Sequence, residues 1–146
     1  MPSREPTHEP LDLDEAWDLS EAIEVQCPSG RVSAEDLKRI ASDQDVPLSH
    51  VYAAAAADPE LQWVTKTSHQ VTVCAGSCQA YGACDLLTRL FAAQKARGDA
   101  FDVLTVGCLD RCDDPVAVET RSPNGVWIHP NLKPEDSAEI LDALFG

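Results

Sequence analysis

Four of the six cysteines fall into two tight pairs, Cys74 with Cys78 and Cys108 with Cys112, each with three residues between its members. Twenty-nine residues separate the pairs. Thiolates are soft ligands, and four of them delivered from two loops can enclose one metal centre. A [2Fe–2S] cluster needs four, two for each iron. A tetrahedral zinc site takes the same number. The count leaves the metal open, so the setting of the cysteines must narrow it.

That setting is a succession of strands and helices. His69-Gln70-Val71-Thr72-Val73 alternates, is rich in β-branched residues, and predicts a strand running straight into Cys74. Gly82 to Arg97 reads as the strongest helix, with Leu86, Leu87, Leu90, Phe91 and Ala93 on one stripe and Gly98 as its stop. Phe101 to Val106 predicts a second strand that ends at Gly107-Cys108, and Pro115 to Glu119 a third. Ser122-Pro123-Asn124-Gly125 is a hairpin turn, in which Asn-Gly supplies residues tolerant of positive φ. Val126 to His129 is the fourth strand, and Pro134 opens a last helix with Ile140, Leu141 and Leu144 inward. The order β-α-β-β-β-α implies a mixed four-stranded sheet flanked by helices. If the first two strands are parallel neighbours, both cysteine loops leave the sheet at one edge, where open α/β sheets place their sites.

The preceding residues read differently. Residues 1–10 hold three prolines and several charges and are expected to be a disordered tail. Residues 11–65 predict a small helical element: an acidic segment from Leu11 to Val25, a helix capped by Ser33, and a short helix through Ala53–Ala57 ended by Asp58-Pro59. Residues 66–146 then hold the cysteine domain.

Composition excludes several classes. Eleven basic and 25 acidic side chains leave a formal charge of −14, and no basic cluster exists to meet a phosphate backbone, so nucleic acid is not an expected partner. The acidity suits solubility, or steering toward a basic face on a partner. No apolar run approaches the roughly 20 residues of a membrane span, so direct membrane insertion is not expected. The N-terminal segment lacks the apolar stretch of a secretory signal, and the expected location is cytoplasmic. Thiols there stay reduced, which favours metal binding over structural disulfides.

Cys74-Ala75-Gly76-Ser77-Cys78 before Gly82-Ala83, with Val106-Gly107-Cys108-Leu109-Asp110-Arg111-Cys112 before Pro115-Val116, resembles the thioredoxin-like [2Fe–2S] ferredoxins. Within that group the chain is most similar to the small iron–sulfur subunit of NADH dehydrogenases, which has relatives in NAD-linked hydrogenases and formate dehydrogenases. Gly30-Arg31-Val32-Ser33, Val46-Pro47 and Val51-Tyr52 resemble its preceding helical segment, and Asn124 to Leu141 its final hairpin and helix, so the likeness covers about residues 30–146. The spacing within the first pair, and from the fourth cysteine to Pro115, is one residue shorter than the family pattern. Cys84 therefore stands as a substitute for Cys78, although Cys78 holds the matching position ahead of Gly82-Ala83. The resemblance implies a thioredoxin-like fold and one [2Fe–2S] cluster per chain on Cys74, Cys78, Cys108 and Cys112. It also implies an FMN-containing, NAD(H)-binding flavoprotein partner. The chain would be the electron-transfer component of such an oxidoreductase, not catalytic alone, and self-association into a homodimer stays open.

Other readings remain beside it. A stand-alone ferredoxin keeps the cluster but does not explain the helical segment at residues 30–60. A structural zinc module tolerates the cysteine spacing. A thiol–disulfide enzyme would want Cys-x-x-Cys, which is absent. His8, His50, His69 and His129 lie away from the cysteine loops and give no Rieske arrangement. Cys27 reads as a surface or boundary cysteine, and Trp17, Trp63 and Trp127 as packing or interface residues.

Overall fold

The computed structural model describes residues 6–109 and 115–145. Cys112 and the rest of residues 110–114 lie outside them, as do residues 1–5 and Gly146. The architecture is mixed α/β. Helix α1 (Leu13–Gln26), β1 (Arg31–Val32), α2 (Ala34–Gln44), α3 (Leu48–Ala56) and β2 (Gln62–Trp63) come first. They are followed by β3 (Gln70–Cys74), a 3-10 turn (Ser77–Tyr81), α4 (Ala83–Ala96) and β4 (Asp102–Val106). The chain closes with β5 (Val118–Ser122), β6 (Gly125–His129), a second 3-10 turn (Pro134–Asp136) and α5 (Ser137–Phe145). No helix among the described residues is long and apolar enough to cross a membrane.

The four-stranded sheet has the order β4-β3-β5-β6. Strands β3 and β4 are parallel, joined through α4, whereas β5 is antiparallel to β3 and β6 to β5. The mixed sheet expected from the element order is thus present, consistent with a thioredoxin-like α/β fold. Alternation buries Val71, Val73, Val103, Thr105, Val118 and Thr120 on the covered face and leaves the intervening residues of β3, β4 and β5 half-buried or exposed. Helix α4 packs on β3 and β4 with Leu86, Leu87 and Leu90 fully buried, and α5 packs on β5.

The third strand starts three residues later than its apolar run. Val116 exchanges both backbone hydrogen bonds with Leu132 instead of with the sheet, and Pro115–Ala117 stays buried. The hairpin forms where expected, with Ser122 opposite Gly125. Of the Asn-Gly pair only Gly125 has positive φ, at 143°.

Local chemistry explains the helical element. Ser33 accepts from the Asp36 N–H, and the Asp36 carboxylate accepts from the Ser33 N–H, a capping box worth about 1 kcal/mol. Pro47 stands at the N-cap of α3, and Ser49 is buried within its first turn. The parallel pairing of β1 with β2 had no sequence signal, since each strand is two residues long. Buried residues of both segments form one core: Leu37, Ile40, Val51 and Tyr52 are contiguous with Val71, Leu90 and Ile140. The Tyr52 ring lies 4.7 Å from that of Phe91, and Thr105 Oγ1 donates to the Tyr52 carbonyl at 2.6 Å. Residues 11–65 therefore flank the sheet as part of the same packed body.

Candidate metal centre

The parallel register sets Cys74 opposite Val106, two residues before Cys108. Ala75 N–H continues the ladder by donating to the Val106 carbonyl at 2.9 Å, so the two cysteine loops depart side by side from one sheet edge. They then come into backbone contact. A Cβ on Gly76 would overlap the Gly107 carbonyl oxygen, and only glycine admits that approach. Gly107 in turn lies beneath α3, where an added Cβ would stand 3.2 Å from the Ala56 carbonyl oxygen.

Cys74 is the hub. It is 2 % exposed and Cys78, in the first 3-10 turn, 1 %. A hydrogen bond from the Cys78 side chain holds the Cys74 thiol well below the usual thiol range. Burial opposes this, and the backbone N–H groups of Leu109, Gly76 and Cys78 reinforce it. As a thiol, Cys74 donates to the Gly107 carbonyl at 3.6 Å; as a thiolate it accepts from those N–H groups. One of them, Leu109, belongs to the second cysteine loop. On the far side of residues 110–114, the Ala117 carbonyl accepts from the Cys74 backbone N–H at 3.0 Å. Both flanks of the segment carrying Cys112 are thus hydrogen-bonded to Cys74. Cys108 is exposed at the same edge.

Among the described residues no group of three His, Cys, Asp or Glu side chains stands in a ligating arrangement, and the fourth paired cysteine lies outside them. Cys74, Cys78 and Cys108 are gathered at one edge. Cys84 is half-buried on the first turn of α4, packed against Ala53, Ala56 and Ala75. Burial pushes its thiol up to about 11, with Asp85 and Glu15 adding to the shift. Cys27, read as a surface or boundary cysteine, stands at the boundary where α1 ends and is buried there beside Asp36 and Arg39 of α2.

The histidines are engaged elsewhere. His50 Nδ1 and Glu15 are 2.6 Å apart, His69 stacks on Phe145 at 5.0 Å, and His129 Nε2 meets Thr120 Oγ1 at 2.9 Å.

Sequence reasoning missed the support of the first loop. Residues 7 and 8, within the segment expected to be a disordered tail, both donate backbone N–H groups to the Ala80 carbonyl. Gln79 links Leu11 N–H and the Ala75 carbonyl, at 2.8 and 2.7 Å. Nothing local marks Gln79 for this role; its partners are distant in sequence or set by the loop. No family model matches the chain, and comparison with curated proteins likewise finds no match.

Proposed function

We propose that this chain is a one-electron carrier holding one [2Fe–2S] cluster on Cys74, Cys78, Cys108 and Cys112. We further infer that it serves as the electron-transfer subunit of an NAD(H)-linked flavoprotein oxidoreductase. The observation that carries this reading is the convergence on Cys74. Gly76 and Cys78 of its own loop, Leu109 of the second loop and Ala117 hydrogen-bond to it, which supports a centre shared by the two cysteine loops. A donor set of thiols at a strand-end edge, with N–H groups aimed at sulfur, suits an anionic cluster better than a neutral site.

When bound, the cluster supplies a single-electron couple. The chain's own cysteines would hold the iron, the N–H groups of Gly76, Cys78 and Leu109 meet the Cys74 sulfur, and burial excludes water at Cys74 and Cys78. Cys108, at the exposed rim, leaves an edge open toward a partner. The net charge of −14 opposes adding an electron and favours a low potential. The FMN- and NAD(H)-binding partner and the parent complex rest on the sequence resemblance.

The test is an EPR spectrum of anaerobically purified protein before and after dithionite, with iron and zinc measured on the same sample. A rhombic spin-½ signal appearing on reduction, with about two irons per chain, supports the carrier. A colourless, EPR-silent sample with about one zinc per chain would establish the structural zinc module in its place.

A further inference from the structure

Helix α1 carries Asp14, Glu15, Asp18, Glu21 and Glu24 and no Lys or Arg. On its outer side Trp17 is 75 % exposed. A tryptophan so placed contributes nothing to the core, and exposed aromatics amid charge are the usual anchors of protein interfaces. The concavity beside it, about 280 Å³, is bounded by Trp17, Ser20, Glu21 and Glu24. Ser20 and Glu24 also bound a second, of about 320 Å³, that runs to the loop Ala57–Leu61. That loop borders a third and larger one, about 570 Å³, which crosses Leu104 and Val106 on the uncovered sheet face and ends at Cys108. The first two concavities share Ser20 and Glu24 and the last two Ala57, Asp58, Pro59 and Leu61, so the three together make a recessed track from Trp17 to the cysteine edge, called the groove below.

The charge along it has a single sign. Glu21, Glu24, Asp58 and Glu60 border the groove, and no Lys or Arg is among its described lining residues. We propose that this groove is the docking track for a basic protein face. Lys and Arg would meet the four carboxylates, an apolar pocket would take Trp17, and the far end would bring the partner to Cys108. The identity of that partner as the flavoprotein rests on the carrier reading above. A second copy of this chain does not fit, since a two-fold contact would set acidic groove against acidic groove.

The test uses oxidised cytochrome c, a small lysine-rich protein, as the probe. Binding to the full chain is measured at low ionic strength by calorimetry, and its footprint by NMR shift perturbation. The track predicts shifts along α1, residues 57–64 and the Trp17 indole. Glu24→Lys with Asp58→Lys and Glu60→Lys should weaken binding about tenfold or more. The control triple Glu135→Lys, Glu139→Lys and Asp142→Lys changes net charge equally and should cost less than about twofold. Trp17→Ala should weaken binding by about tenfold without altering net charge. Equal losses in both triples, or a footprint elsewhere, would overturn the track, as would sedimentation showing self-association through the groove. Binding is read without reference to the cluster, so an iron-free protein that still binds in the groove overturns the carrier reading alone.

Discussion

Gly76 and Gly107 meet backbone to backbone, so that a Cβ on Gly76 would overlap the Gly107 carbonyl oxygen and stand 3.2 Å from its carbon. Neither obstacle is the movable end of a side chain. Gly76→Ala must therefore push the two cysteine loops apart. The expected cost is about 1–3 kcal/mol, the range for overpacking, with a larger fractional loss of bound iron than of stability. Gly107→Ala faces a milder 3.2 Å approach to the Ala56 carbonyl oxygen and should lose less of both. Denaturant melts with iron content on each variant would check the order; a harmless Gly76→Ala would sink it.

The Cys78 side chain hydrogen-bonds to Cys74, whereas Cys84 lies on the first turn of α4 against Ala75. Cys78→Ser should abolish or strongly reduce iron incorporation. Cys84→Ser should keep about two irons per chain and an unchanged EPR line shape. Metal analysis of the two purified proteins decides, and the reverse outcome would make Cys84 the ligand.

The Cys84 thiol, pushed up to about 11 by burial and then by Asp85 and Glu15, has a pH signature. The folded state keeps its proton where the unfolded chain releases it, near the ordinary thiol value of 9.0. The stability contribution is therefore full below about 9 and is lost as pH rises toward 11. Cys84→Ala should flatten that part of a stability–pH curve, measured by urea unfolding, and should leave the region below about pH 8 parallel to wild type.

Thr105 donates to the Tyr52 carbonyl at 2.6 Å across a buried seam between β4 and α3. Thr105→Val keeps the shape and removes the donor, so it should destabilise the fold by about 1–3 kcal/mol. Because both segments share one core, unfolding followed by tryptophan fluorescence and by far-UV circular dichroism should stay a single coincident transition.

Low pH should loosen the start of α2. Burial alone would raise the Asp36 carboxyl, but its bonds to Ser33 and Arg39 hold it below the usual carboxylate range. Its stabilisation is present above the unfolded value of 3.8 and is lost as pH falls through the lower folded value. Ser33→Ala, which removes the hydroxyl, should cost about 1 kcal/mol at neutral pH in urea melts and shrink that acid-side loss.

What the sequence by itself determined is local. Ser33 with Asp36, the stripe Leu86–Leu87–Leu90 and the Ser122–Gly125 turn each act within a few residues, so their pattern is written in the chain. Placing Cys74 and Cys108 at adjacent strand ends needed only the strand–helix–strand order, because such crossovers are parallel and bring like ends together. The tertiary structure decided what depends on residues far apart. Cys27 is buried beside Asp36 and Arg39 of α2. The segment at residues 7–11 is tied down because Ala80 and Gln79 happen to face it. Gly76 must be glycine because of a carbonyl 31 positions later, and Trp17 stays exposed because α1 turns its other side to the core. Periodicity states that a helix or strand has two faces; only packing decides which neighbour each face meets.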